Sequence, residues 1–233
     1  MIGVLLLLAG FLFPNLLGQI ERERMPQSAE QMRALVQMTR ANAMFDGRRY
    51  RIRFPQPEEV DHPQELRQPL IERENDPLDR PNEFFPVSHP WAHGVTIHDS
   101  VWCAEVRIGK PYLYEGEVEY DEPYIAPNAI EREDPYRPAV YFEPNGVSTW
   151  ATFVLTDAPE GTDPDALEHY KRIEVIFDGD TGLAWLQRPF YPEEIQMLVE
   201  HDWPPVLRND FLRPEPLTED QVLEIRETLV RKK

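Results

Sequence analysis

Residues 2–17 read IGVLLLLAGFLFPNLL, an apolar run without a single charge. As an isolated helix it would show apolar surface to water all round, so it is expected to sit in lipid or among other helices. At ~1.5 Å per residue it spans roughly 24 Å, less than the ~30 Å hydrocarbon core of a bilayer. Further on, apolar positions recur with a helical period. Ser28 and Gln31 have capping-box spacing with Pro26 just before them, which predicts a helix start near Ser28. Met32, Leu35, Val36, Thr39 and Ala43 form its stripe, the face expected to pack on a sheet. Pro14 and Pro26 are expected to kink or interrupt the helical run, since each removes a donor and crowds the preceding turn. Asp46-Gly47 should end it. From Arg49 to Phe54 the chain alternates strictly, predicting a half-buried strand with its arginines outward.

The next stretch changes character. Residues 55–90 hold eight prolines among many charges, and such a segment is expected to run as a surface insert rather than a sheet interior. Strand signals return at 95–97, 101–108, 112–120, 139–143, 149–156, 173–177 and 183–187, separated by turns such as Asn145-Gly146 and Asp178-Gly179. Short strands and tight turns imply one antiparallel sheet. Tyr191-Pro192-Glu193-Glu194 and Thr218/Gln221 then open two short helices. The expected fold class is α+β: a long N-terminal helix, apolar then amphipathic, packed on an antiparallel sheet head with small C-terminal helices. In domain terms, 1–18 is the membrane or filament-core segment and 19–46 the amphipathic helix. The head covers 47–190, with its proline-rich insert at about 55–94, and 191–233 is a helical extension.

Charge narrows the function. Eight Arg against four Asp/Glu leave residues 1–54 at +4, so the rest carries −22 of a total of −18. A head that acidic repels phosphate backbones, and no nucleic-acid partner is expected. The sole cysteine, Cys103, excludes an intrachain disulfide and reads as a small buried thiol.

Candidate chemistry is sparse. His89, His93 and His98 lie close together in HPWAHGVTIHD, but Pro90 and Gly94 oppose the helix that His-x3-His metal ligation needs. They are the weak metal candidates, and loop histidines around Trp91 are the plainer reading. Asp178-Gly-Asp180-Thr-Gly182 is one copy of a pattern that an acid dyad needs twice, and it supplies too few oxygens for a calcium loop. A β-turn accounts for it. Glu115, Glu117, Glu119, Asp121 and Glu122 fit a strand with a solvated acidic edge, or a docking surface for cations or a partner. No phosphate loop and no nucleophile elbow occurs. No catalytic residue and no cofactor is expected.

The order of these elements resembles the type IV pilin-like proteins, most closely the minor pseudopilins of H type from type II secretion. VLLLLAGFLFP, ending at Pro14, is similar to the family's proline-bearing apolar helix. Residues 32–54, MRALVQMTRANAMFDGRRYRIRF, are similar to its amphipathic half, glycine turn and first strand. Val140–Gly146 and Ile173–Ala184 resemble later strand-and-turn pieces. The resemblance implies a non-catalytic structural subunit that joins other pseudopilin-like subunits through its N-terminal helix. It also implies an inner-membrane, single-pass location with the head in the periplasm. Leu5, Leu6, Leu7, Leu8, Phe11, Phe13 and Pro14 would be the membrane and filament-packing residues. The family's basic leader, Gly-Phe processing site and early glutamate are absent here. A start codon assigned too late is the expected reason, with the missing motif encoded upstream. An exported soluble binding protein with a signal peptide ending near Gln19 is the rival reading, and a metal-dependent hydrolase using the histidine loop is a third.

Overall fold

A computed structural model describes residues 2–94, 96–109, 136–162 and 164–188, with side chains from residue 23 onward except at 164, 165 and 168. The first element is one helix, α1 (Ile2–Asp46). It runs through both prolines, so the helix start predicted near Ser28 does not occur. Ser28 lies inside the helix, where its hydroxyl donates to the Arg24 carbonyl (2.8 Å) and accepts the His98 amide (3.0 Å). A serine bonded four residues back is satisfied without leaving helical geometry, which is why the cap signal misleads. At the other end Gly47 is left-handed (φ +63°), and the Arg48 amide closes on the Ala43 carbonyl at 3.3 Å. That glycine ends the helix as a residue with a Cβ would not.

Eight strands follow among the described residues: β1 (Tyr50–Arg53), β2 (Leu70–Glu74), β3 (Phe84–Pro86), β4 (Trp102–Ile108), β5 (Val140–Phe142), β6 (Ala151–Thr156), β7 (Arg172–Phe177) and β8 (Ala184–Gln187). They make two antiparallel sheets, sheet A in the order β3-β2-β1-β5 and sheet B in the order β4-β6-β7-β8. One core joins them to the helix. Met25, Ala29, Met32, Leu35, Val36 and Ala43 of α1 pack with Tyr50, Ile52, Ile71, Val140 and Phe142 of sheet A and with Val106, Phe153, Leu155, Val175, Phe177 and Leu186 of sheet B. Phe142 and Phe177 meet across the two sheets with ring centroids 5.5 Å apart.

This architecture corrects the expected α+β fold of a long apolar-then-amphipathic helix on a single sheet. The described residues are mostly β in their elements, one α-helix with two antiparallel sheets. The described helix residues buried in the core, from Met25 to Ala43, lie on one apolar stripe, with polar residues on the face toward water. No α-helix other than α1 occurs among the described residues, and the stretch 191–233 assigned to small helices lies outside them. So does the strand expected at 112–120.

The localisation also needs correction. Among the described residues no helix is long and apolar enough to cross a membrane, so a single-pass inner-membrane protein with a periplasmic head is not supported. The apolar run stops at Leu17, and Glu21, Arg22, Glu23 and Arg24 follow within the same helix.

The proline-rich segment contributes more than expected. Its five proline-free residues Leu70–Glu74 form β2, an interior strand hydrogen-bonded to both β1 and β3. The prolines fall between strands or, at Pro86, on the edge strand β3, where a missing donor costs no ladder bond. Of the strand expected at 95–97, the described residues Thr96 and Ile97 form none. Instead the Gln68 amide side chain stands in for one, accepting from the Thr96 and Ile97 amides (2.8 and 3.0 Å) and donating to the Ile97 carbonyl (2.7 Å).

Candidate functional site

The alternation of β1 places Arg49, Arg51 and Arg53 away from the core. Across the ladder from Arg51 stands Glu72 of β2, only 3% exposed. Its carboxylate accepts from Arg51 Nε (2.5 Å) and from Arg53 Nη2 (2.9 Å), while Arg53 also reaches Glu59 (2.5 Å). Arg49 bonds Glu143 (2.8 Å) and Asn82 (2.9 Å). Aromatic rings complete the layer: Arg51 stacks over Phe84 at 4.5 Å, Arg49 lies 5.7 Å from the Tyr141 ring, and Phe84 meets Tyr141 edge-on at 5.8 Å. Burial works against the Arg53 charge, but its hydrogen bonds to Glu72 and Glu59 outweigh this and raise its pKa. The Arg53 bonds in turn hold the Glu59 carboxyl below the usual range. Such a face is hydrogen-bonded within itself, which suits a rigid surface better than a reacting centre.

Sheet B carries the converse arrangement. Glu174 interrupts the apolar strand RIEVIF and is 3% exposed. Arg107 of β4 reaches it at 3.2 Å and is shared with Glu105 at 2.8 Å. Burial pushes the Glu174 carboxyl above its ordinary value, and attraction to Arg107 only partly offsets this. A charged residue inside an apolar strand is the sequence signal that could have singled Glu174 out. Nothing local marked Glu72 as the shared partner of two arginines.

The sequence candidates are placed as follows. Met32, Leu35, Val36, Thr39 and Ala43 are all buried, and the Thr39 hydroxyl bonds the Leu35 carbonyl at 2.8 Å. Leu5–Leu8, Phe11, Phe13 and Pro14 lie in α1, ahead of the residues whose side chains are described. His89 and His93 flank a 3-10 turn, Pro90–Ala92, and both are exposed. The His98 ring faces Ser100 at 3.4 Å. Among the described residues no group of three His, Cys, Asp or Glu is arranged to hold a metal ion. Asp178 is buried inside its own turn: Oδ1 accepts the Asp180 and Thr181 amides (2.9 Å each) and Oδ2 accepts the Thr181 hydroxyl (2.6 Å). Asp180 accepts from Trp150 Nε1 at 2.9 Å. Cys103 is buried, and burial pushes its thiol up to about 12, so thiolate chemistry is suppressed at neutral pH. The acidic run 115–122 lies outside the described residues.

Exposed apolar side chains gather at one end of the helix. Phe45 is 88% exposed, Met38 and Met44 nearly half, and Val147 and Leu183 stand out from the turns after β5 and β7. No family model matches the chain, and neither a characterised protein nor a solved structure does.

Proposed function

We propose that the chain is a non-catalytic structural subunit of a pilin-like assembly, of the minor pseudopilin kind that its sequence resembles. The observation that carries this reading is the single uninterrupted helix Ile2–Asp46, whose described buried face begins at Met25. Residues 2–24 extend roughly 34 Å ahead of that face at ~1.5 Å per residue. The apolar sequence of residues 2–17 calls for a cover, and the matching helices of like subunits supply one. Leu5, Leu6, Leu7, Leu8, Phe11, Phe13 and Pro14 are assigned to that contact, and the head to recognition. The hydrogen-bonded arginine face supports a rigid display surface, and the buried Cys103 and self-contained Asp178 turn support the absence of catalysis.

The test uses the full chain with Leu6→Cys or Phe11→Cys. Buried Cys103 contributes little background. Mild oxidation should give disulfide-linked dimers through the helix, and an unoxidised sample should sediment as oligomers. A chain that starts near Gln19 and sediments as a monomer would overturn the reading in favour of an exported binding protein.

A further inference from the structure

Two turns from different sheets converge on one side chain of α1. Gly146 lies in the turn after β5 of sheet A, and Gly182 in the turn joining β7 to β8 of sheet B; both are left-handed, with φ +87° and +74°. Arg40 donates from Nε to the Gly146 carbonyl at 3.0 Å. Its guanidinium also occupies the space where a Gly182 side chain would begin: a Cβ there would lie 2.1 Å from Arg40 Nη1 and 2.2 Å from Cζ. The seam between the sheets passes the same point. Ser148 bridges to Phe142 of β5, and its amide donates to the Gly179 carbonyl at 3.1 Å. A Cβ on Gly179 would stand 2.0 Å from the Ser148 carbonyl oxygen, so the two backbones touch there without room for a side chain.

We infer that Arg40 is a coupling pin, a positioning residue that locks α1 onto both sheets at their seam, so that helix and head turn as one body. The reasoning is geometric. Apolar packing along the stripe resists separation of helix and sheet but tolerates sliding and rotation, because dispersion is weakly directional. A guanidinium with a directed bond to one turn and a close seat on the other allows neither movement. The exposed Phe45 and Met44 next to it are thereby presented at a constant angle. This inference concerns single molecules and holds or fails independently of the assembly reading.

Spin labels at Ala34→Cys on the exposed helix face and Tyr170→Cys on the head report the angle as a distance distribution in the full chain. With Arg40 present the distribution should be narrow. With Arg40→Ala its width should at least double, while amide exchange of β6 and β7 stays as slow as before. Arg40→Lys, which keeps the charge without the planar fork, should fall between. An unchanged width in Arg40→Ala would overturn the pin, as would a faster exchange that spreads evenly over the whole head. Gly182→Ala supplies a second route. Alone it should displace the guanidinium and lower the folding equilibrium constant about tenfold or more. Added to Arg40→Ala it should cost distinctly less, because the atoms its Cβ meets are gone. Equal costs in both backgrounds would sink the proposed seat.

Discussion

The outward faces of the two sheets use the same ingredients in opposite proportion. On sheet A one buried carboxylate, Glu72, is shared by two guanidiniums, Arg51 and Arg53. On sheet B one guanidinium, Arg107, is shared by two carboxylates, Glu105 and Glu174. The titration directions differ: hydrogen bonds from Arg53 hold Glu59 low, and burial pushes Glu174 up. Burial and pairing both enter: Glu59 is exposed and bonded to Arg53, whereas Glu174 is only 3% exposed and loses its hydration. Burial makes Glu174 the carboxyl that folds more easily with its proton, with Arg107 and Arg172 only partly offsetting it.

The comparison can be broken most strongly at Glu72. Glu72→Ala should cost about 3–5 kcal/mol in urea unfolding, because it removes the buried carboxylate that Arg51 and Arg53 share. Arg107→Ala should cost less, about 1–3 kcal/mol, since the carboxyl it abandons can take up a proton. Glu174→Gln sharpens the contrast through pH. In the unfolded chain Glu174 ionises near the ordinary carboxylate value, but in the folded chain it holds its proton to higher pH. Its contribution to stability is therefore fully present below the ordinary value and is lost as pH rises through the folded one. Glu174→Gln should remove that slope and raise the urea midpoint at neutral pH relative to native, measured by chevrons or equilibrium melts from pH 4 upward. Glu59 works in the other direction: its contribution is present above the ordinary value and is lost as pH falls through the depressed folded one. With its side chain 41% exposed and screened by solvent, Glu59→Gln should change stability by only ~0.5 kcal/mol or less at neutral pH and flatten the acid limb slightly.

Legibility in the sequence followed the range of the interaction. The stripe from Met32 to Ala43, the alternation from Arg49 to Phe54 and the turn glycines 47, 146 and 182 are each set within a few residues. In the proline-rich segment the density of prolines over the whole stretch opposes a sheet, whereas a strand needs only the five proline-free residues Leu70–Glu74 and two neighbours to pair with. Pro26 misled for a related reason: a helix losing one amide bond there can still be held by Met25, Ala29 and Met32 packed in the core. The candidate surface was half legible. Outward arginines could be read from β1, but their acids Glu72 and Glu143 stand 21 and 94 residues beyond the arginines they bond, Arg51 and Arg49.

By itself, then, the chain's order of residues determined where a helix turns polar, where it stops, which side of β1 faces water and where backbone must bend left-handed. These follow from sterics and hydrogen bonds between near neighbours. Only the tertiary structure decided that the strands divide into two sheets, that Arg40 meets turns from both, and that Glu72 and Glu174 lie in contrasting charge surroundings. Those outcomes depend on pairings such as Arg107 with Glu174, 67 residues apart, and no local period records which distant strand will lie alongside.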